Sequence, residues 1–350
     1  MSKKTKTEFI IEELKSVNNP NSIHGIYPYR GKISALDAEQ ILKQMPKGSV
    51  VLDPFCGSGT IVYEGLKYSL KTIGTDLNPI AILLSNGKIN IPESLSEAQS
   101  EISKIITKAK KLTEFSKMKT SASKHFHGET SEEISRIATY FESMSDYVKA
   151  CFLGSICLTA RGCNHYLWTS STVGKDITPK RYINFYEKLE QKIKKHFYPI
   201  KNSSKIYNQD ARKLSNVIKP NSVDFVFTSP PYFDCLDYTA YYAKIIYDIL
   251  NVDRETIREG LIQNFKEYEK DMTLVLEELY KVCKKGAKVI FVVGDKKIHG
   301  KLINGGEFFN GISPFKNVTF LERTYSGTSS QIFDKINNTK RKEQIVIWEK

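Results

Sequence analysis

The sequence contains no run of about 18 consecutive apolar residues, so nothing in it reads as a membrane-spanning helix. Its first residues, Met1-Ser2-Lys3-Lys4-Thr5-Lys6, are basic, but no apolar core follows them as a secretory signal would require. A cytoplasmic protein with no membrane partner is therefore expected. The six cysteines, Cys56, Cys151, Cys157, Cys163, Cys235 and Cys283, form no C-x-x-C pair. Cys151, Cys157 and Cys163 recur every six residues, a spacing that suits neither a zinc knuckle nor a disulfide framework. Scattered reduced thiols and no metal site are expected, with His165 beside Cys163 read as packing. Acidic residues are in deficit: 39 Asp and Glu face 52 Lys and Arg, a formal charge of +13. Such an excess bears on partners and not on fold, and it points to a polyanion, nucleic acid ahead of a membrane surface. No internal repeat or low-complexity tract stands out.

The 350 residues suffice for one large domain or a domain with a sizeable insertion. After the turn-rich stretch His24 to Lys32, Leu36–Gln44 has helical patterning ended by Pro46-Lys47-Gly48. Ser49–Asp53 reads as a strand, Thr60–Lys67 as a helix and Lys71–Asp76 as a second strand, each strand ending in an acid. Strand, glycine loop, helix and strand form a βαβ unit, hence a parallel sheet. A second pass comprises a strand at Ile206–Asp210, a short helix at Ala211–Val217 and a strand at Asp224–Phe227. Helices at Tyr241–Leu250 and Met272–Cys283, then strands at Ala287–Val293 and Glu343–Trp348, complete it. Residues 96–200 break the alternation, with helical patterning at Ser96–Phe115, Glu132–Cys157 and Pro179–His196. They are too long for an ordinary loop and read as a helical insertion between residues 20–95 and 201–350.

Two motifs carry chemistry. Asp53-Pro54-Phe55-Cys56-Gly57-Ser58-Gly59-Thr60 is a glycine turn between a strand and a helix N-terminus, where backbone N–H groups and a positive dipole end meet a ligand. It lacks the third glycine of a dinucleotide loop and the G-K-[ST] ending of a phosphate loop. An acid at its start repels phosphate and suits an ammonium group, while Asp76 on the next strand can accept hydrogen bonds from a ribose. A cationic nucleoside with an amino-acid tail, S-adenosylmethionine, fits that pair. The second motif, Thr228-Ser229-Pro230-Pro231-Tyr232, follows a strand. Its two prolines forbid helix and ladder, leaving a serine hydroxyl, a proline carbonyl and a tyrosine face at the carboxyl edge, where open α/β sheets bind ligands.

With these residues in place, the chain resembles the amino-methyltransferases of DNA, which methylate cytosine N4 or adenine N6. The resemblance spans about residues 24–90 and 205–350 and implies a Rossmann-like class I methyltransferase fold: α/β, a mixed, mostly parallel sheet with helices on both faces, plus the helical insertion. It implies that Asp53, Phe55, Gly57 and Gly59 contact the methionine part of S-adenosylmethionine, Asp76 the ribose and Asp210 the adenine edge. The segment His24–Lys32, with Tyr29 and Lys32, would line the methionine side. Ser229, Pro230, Pro231 and Tyr232 would be catalytic. An exocyclic amine is a poor nucleophile because its lone pair is delocalised into the ring. Accepting its two protons at Ser229 Oγ and the Pro230 carbonyl favours a pyramidal nitrogen and direct, in-line transfer. Tyr232 would stack on a base flipped out of the duplex. Carbon-5 methylation of cytosine uses a cysteine, typically in a Pro-Cys pair, which this sequence lacks.

Within that family Ser-Pro-Pro-Tyr after Thr is commoner among cytosine-N4 enzymes, and Asp or Asn at the serine position among adenine enzymes. The expectation is a DNA cytosine-N4 methyltransferase of a restriction–modification system, with double-stranded DNA and a cognate restriction endonuclease as partners. Alternatives are a DNA adenine-N6 enzyme, an RNA guanine-N2 methyltransferase and an inactive nucleic-acid-binding module. Fewer than 25 residues precede His24, short for the N-terminal RNA-binding domain expected of the RNA enzyme. Candidates for DNA contact are Lys104, Lys108, Lys110, Lys111, Lys117, Lys119 and Lys124, the stretch Arg161–Tyr166, a loop at Gly305–Phe309 and the stretch Ser326–Gln331.

Overall fold

A computed structural model describes residues 9–10, 22–29, 31–160, 179, 181–201, 204–231, 237–240, 242–298, 301–324 and 342–350. Its strands are β1 (Val50–Asp53), β2 (Lys71–Asp76), β3 (Ser204–Asn208), β4 (Val223–Thr228), β5 (Cys283–Gly294), β6 (Lys296–Ile298), β7 (Lys301–Ile303), β8 (Lys316–Thr324) and β9 (Lys342–Glu349). Seven of them form one sheet in the order β3-β2-β1-β4-β5-β9-β8, and β6 pairs with β7 apart from it. Strands β1 to β5 are mutually parallel, and β9 runs antiparallel between β5 and β8. This is the expected mixed, mostly parallel sheet. The order reverses between β1 and β4, so the crevice beyond their carboxyl ends is the place for a ligand.

The sheet is buried on both faces because its strands alternate apolar residues to either side. In β5, Val289, Phe291 and Val293 join the core under the helix Phe265–Val282, while Ile290 and Val292 face the opposite cluster with Ala38, Ile41 and Ile61. Strand β9 repeats the division, Val346 and Trp348 to one side and Ile345 and Ile347 to the other. Trp348 is fully buried and meets Phe291 edge-on at 5.4 Å.

Residues 96–200 pack onto this frame. The helices Leu95–Lys110, Gly128–Ala138, Asp146–Thr159 and Phe185–Lys195 share one core with Ile80 and Leu84 of the helix Pro79–Ile89 and with Ile23, Ile26 and Tyr27. The helix Asp146–Thr159 is buried nearly all round, which accounts for Cys151 and Cys157 as packed free thiols. The pattern expected as one helix over Glu132–Cys157 is broken at Phe141–Met144, and Ser145 restarts it by capping the Val148 N–H. Among the described residues no helix is long and apolar enough to cross a membrane.

Two expectations need correction, and one strand is added. Strand β3 ends at Asn208, so Asp210 is not a strand residue; it caps the 3-10 turn Ala211–Asn216. Gly305–Phe309 is no loop but the start of a helix, Gly305–Ile312, with Asn304 accepting the Glu307 N–H and Phe309 buried in the core. The Asn304-x-x-Glu307 spacing was the available signal for that helix. Strand β8 went unread, because Val318 and Phe320 are exposed on an edge strand and carry no buried-strand pattern.

Gly154 lets the insertion close on the N-terminal segment, since a Cβ there would lie 1.8 Å from the Ile26 carbonyl oxygen. Lys192 Nζ donates to the same oxygen at 3.0 Å. Gly154→Ala is expected to destabilise the fold by about 1–3 kcal/mol through backbone displacement, read as a lowered Tm. An unchanged Tm would show that this contact does not hold the segment.

Candidate active site

Strands β1, β2 and β4 deliver their last residues, Asp53, Asp76 and Thr228, to one edge. The turn after β1 is built for backbone approach. Gly57 and Gly59 adopt φ of +49° and +73°, and a Cβ on Gly59 would meet Ser85 Oγ at 2.8 Å. Gly57 donates its N–H to Asp76 Oδ2 at 2.9 Å, and Asn78 donates to Asp76 Oδ1 at 2.9 Å. Asp53 Oδ1 accepts the Phe55 N–H at 3.2 Å and the Thr228 hydroxyl at 2.7 Å. Burial raises the Asp53 carboxyl to about 7, with the Asp76 charge adding to it and these two hydrogen bonds opposing it. Burial likewise raises Asp76 to about 6 against its backbone hydrogen bonds.

Around these acids lies a cleft of about 850 Å³ including its mouth. Tyr29, Lys32, Asp53, Phe55, Gly57, Asp76, Asp210, Ser229 and Pro231 all line it, so one cavity unites residues drawn from every motif read in the sequence. Gly59 shapes the turn without lining the cleft, Pro230 is buried and does not line it, and Tyr232 lies outside the described residues. Lys32 donates to the His24 carbonyl at 2.7 Å, and burial lowers its ammonium to about 8. Asp210 caps Arg212 N at 2.9 Å, and its two oxygens also take the Arg212 guanidinium, with Nη2 at 2.7 Å. That set brings three N–H groups to a carboxylate with about four acceptor sites. Arg212 reaches on to Asp271 and the Gly260 carbonyl.

Several residues of the site were not read from the sequence. Gly260, Leu261 and Ile262 form a wall of the cleft from a segment far along the chain. Tyr268 donates its hydroxyl to the Pro231 carbonyl at 2.5 Å and fixes the proline turn from below. The Pro230 carbonyl receives no hydrogen bond from described residues. Thr60 Oγ1 and Asn78 Nδ2 belong to cleft-lining residues, are buried and have no partner among the described residues. Orphaned polar atoms beside two raised carboxyls fit a ligand with cationic and hydroxyl groups, as S-adenosylmethionine has. Beneath the turn, His24 Nε2 meets Glu64 at 2.7 Å, and Lys88 Nζ meets His24 Nδ1 at 3.2 Å and Ser58 Oγ at 3.3 Å. Burial and the nearby Lys88 hold His24 well below its usual range, so the ring is neutral.

Fold and cleft together define an S-adenosylmethionine-dependent methyltransferase. A family model described as D12 class N6 adenine-specific DNA methyltransferase matches residues 31–290, and the chain belongs to that family of DNA methyltransferases. It is 22% identical to the Type II methyltransferase M.BsoBI of Geobacillus stearothermophilus, over 95% of this chain and 86% of that protein. The Type II methyltransferase M.MvaI of Kocuria varians is 41% identical over 59 residues, 16% of this chain and 13% of that protein. A SAM-dependent methyltransferase structure from Methanosarcina mazei aligns with 87% of this chain and 94% of its own at 10% identity, with a TM-score of 0.36. DNA amino-methylation is common to the family and to the expectation from sequence; cytosine N4 as acceptor is a finer reading than the family supports.

A carboxyl whose native value lies above its unfolded value of about 4 binds its proton more tightly when folded. Native stability therefore falls as pH rises from about 4 through 7. Asp53→Asn is expected to raise the Tm of the ligand-free chain at pH 8 by about 2–4 °C. At pH 5 the gain should shrink to about a third, because the unfolded carboxyl is ionised there while the folded one still carries its proton. Equal effects at both pH values would contradict a raised carboxyl.

Proposed function

We propose that this protein methylates the exocyclic N4 of a cytosine flipped out of double-stranded DNA. The observation that carries this reading is the meeting of Ser229 and Pro231 with Asp53 and Asp76 in one cleft. S-adenosylmethionine supplies a sulfonium-bound methyl group. Asp53 accepts the cofactor's ammonium, Asp76 its ribose hydroxyls, and Tyr29, Lys32, Phe55, Gly57 and Gly59 shape the methionine end. Asp210 borders the adenine end and keeps acceptor capacity for an adenine amine beside its bonds to Arg212. Ser229 Oγ and the Pro230 carbonyl accept hydrogen bonds from the two amine N–H groups, holding the nitrogen's lone pair towards the methyl group; the methyl–sulfur bond breaks as the methyl–nitrogen bond forms, and the surplus amine proton leaves to water. The Tyr268 bond keeps the proline turn rigid during this, so the acceptors need no reorganisation. Tyr232 stacks on the base.

The catalytic unit in this reading comprises residues 20–95 and 201–350, with 96–200 as a DNA-recognition region. Lys104, Lys108, Lys110, Lys111, Lys117, Lys119 and Lys124 are exposed there and suited to phosphates. Arg161–Tyr166 and Ser326–Gln331 lie outside the described residues. The resemblance to a Type II methyltransferase supports a restriction–modification role beside a cognate endonuclease, in the cytoplasm where its DNA lies. The family description favours a second reading, adenine N6 as the acceptor, which needs the same Ser229 and Pro230 contacts.

Duplex DNA incubated with the protein and S-adenosylmethionine, then digested to nucleosides, is expected to contain N4-methylcytosine. N6-methyladenine instead would overturn the base assignment, and the absence of both would overturn amine methylation. Ser229→Ala is expected to lower kcat by about 10²-fold with little change in the cofactor KM. A mainly KM effect would move Ser229 from the amine to the cofactor.

A further inference from the structure

Thr228 sits in the sequence only as the residue before Ser229, yet it is fully buried and does specific work. Its hydroxyl reaches Asp53 Oδ1 at 2.7 Å across 175 residues of chain, joining the end of β4 to the end of β1. The Phe55 N–H binds the same oxygen. Asp53 Oδ1 is thus engaged twice within the protein, while Oδ2 has no hydrogen-bond partner among the described residues, and Asp53 lines the cleft. A carboxylate with one oxygen pinned has its second oxygen aimed. We propose that Thr228 is a positioning residue whose hydroxyl turns Asp53 so that Oδ2 faces the cleft as acceptor of the cofactor's ammonium. This rests on the cofactor role given to Asp53 above.

The same bond links the two motifs mechanically, since the residue after Thr228 is Ser229. It also acts on charge. The groups facing Asp53 are Asp76 from β2, the Cys56 thiol from the glycine turn, and Tyr29 and Lys32 across the cleft. Burial already raises Asp53 to about 7, and the Thr228 hydroxyl is the larger of the two hydrogen bonds holding it down. Without that hydroxyl the carboxyl takes up its proton at still higher pH, and a protonated carboxyl holds an ammonium far less strongly than a carboxylate does. Cofactor affinity should then fall most at neutral pH and recover in part in alkali, a signature that a purely steric role of Thr228 would not produce.

The test is calorimetric titration of the full chain with S-adenosylhomocysteine from pH 6 to 9, for wild type, Thr228→Val, Thr228→Ala and Thr228→Ser. The ligand's own titration is common to all four and cancels. In wild type, affinity should rise with pH through a midpoint near 7. In the Val and Ala variants binding should be weaker at every pH, because Asp53 is no longer turned, and the midpoint should move up, so that the loss is greatest near pH 7, about fivefold or more, and smaller at pH 9. Thr228→Ser should restore the wild-type midpoint. No change in the Val and Ala variants, or a loss that is the same at every pH and that Thr228→Ser does not restore, would overturn the proposal while leaving the cofactor site intact. If the Val variant does not fold, the Ala variant carries the same comparison. Failure of wild type to bind S-adenosylhomocysteine at any pH would instead overturn the proposed function itself.

Discussion

Two carboxylates at neighbouring strand ends, Asp53 buried and Asp76 half-buried at the cleft, set the terms for the rest of the structure. Asp53 and Asp76 sit at the ends of β1 and β2, which pair in register up to Asp53 and Gly74. Isolated buried carboxylates are strongly disfavoured, so each has to be met by donors. The chain meets them with the Phe55, Gly57 and Asn78 N–H groups and the Thr228 hydroxyl. Supplying those donors dictates the left-handed glycine turn, the Asn78 cap and the placement of β4 beside β1. The donors do not fully offset burial, and both acids keep raised values. What remains is an unfilled demand for positive charge and hydroxyl groups, held in a rigid frame. This is electrostatic preorganisation towards a cationic ligand.

A second polar assembly holds the N-terminal segment against that frame. His24, Glu64 and Lys88 are all buried, and with Ser58 they join the N-terminal segment, the helix Thr60–Lys67, the helix Pro79–Ile89 and the glycine turn. A neutral His24 with its proton on Nε2 donates to Glu64 and accepts from Lys88, which satisfies all three groups together. Because Tyr29 and Lys32 follow His24 closely, this assembly positions the cleft's outer wall. The helices of residues 96–200 support it from behind through Gly154 and Lys192 at Ile26. The insertion therefore contributes to the cleft through the segment it clamps, whatever it contributes to DNA.

Much of the site was legible because its residues cluster in short, chemically unusual words. An acid, two glycines and a helix start lie within eight residues from Asp53 to Thr60, and two prolines close β4. Such words are readable because their backbone consequences are local: a glycine's positive φ and a proline's missing N–H do not await a tertiary context. The parallel strands were legible for a similar reason, as β-branched runs between turn residues. Edge strand β8 was not, since half-exposed strands lack that contrast. The Gly305–Ile312 helix was missed because its paired glycines read as a loop. They are there to let the helix approach, as Gly306 would otherwise press a Cβ to 2.4 Å from Gln344 Oε1.

The sequence by itself determined the class of fold, the acid-ended strands, the glycine turn and the proline turn, and with them the kind of ligand and of reacting group. Only the tertiary structure decided which oxygen of Asp53 is offered, that Arg212 pairs with Asp210, that Tyr268 braces Pro231 and that Gly260–Ile262 closes the cleft. The division has a physical cause. Backbone conformation is governed by each residue's immediate neighbours, whereas the free valence of a polar group depends on which distant donors burial brings within about 3 Å of it.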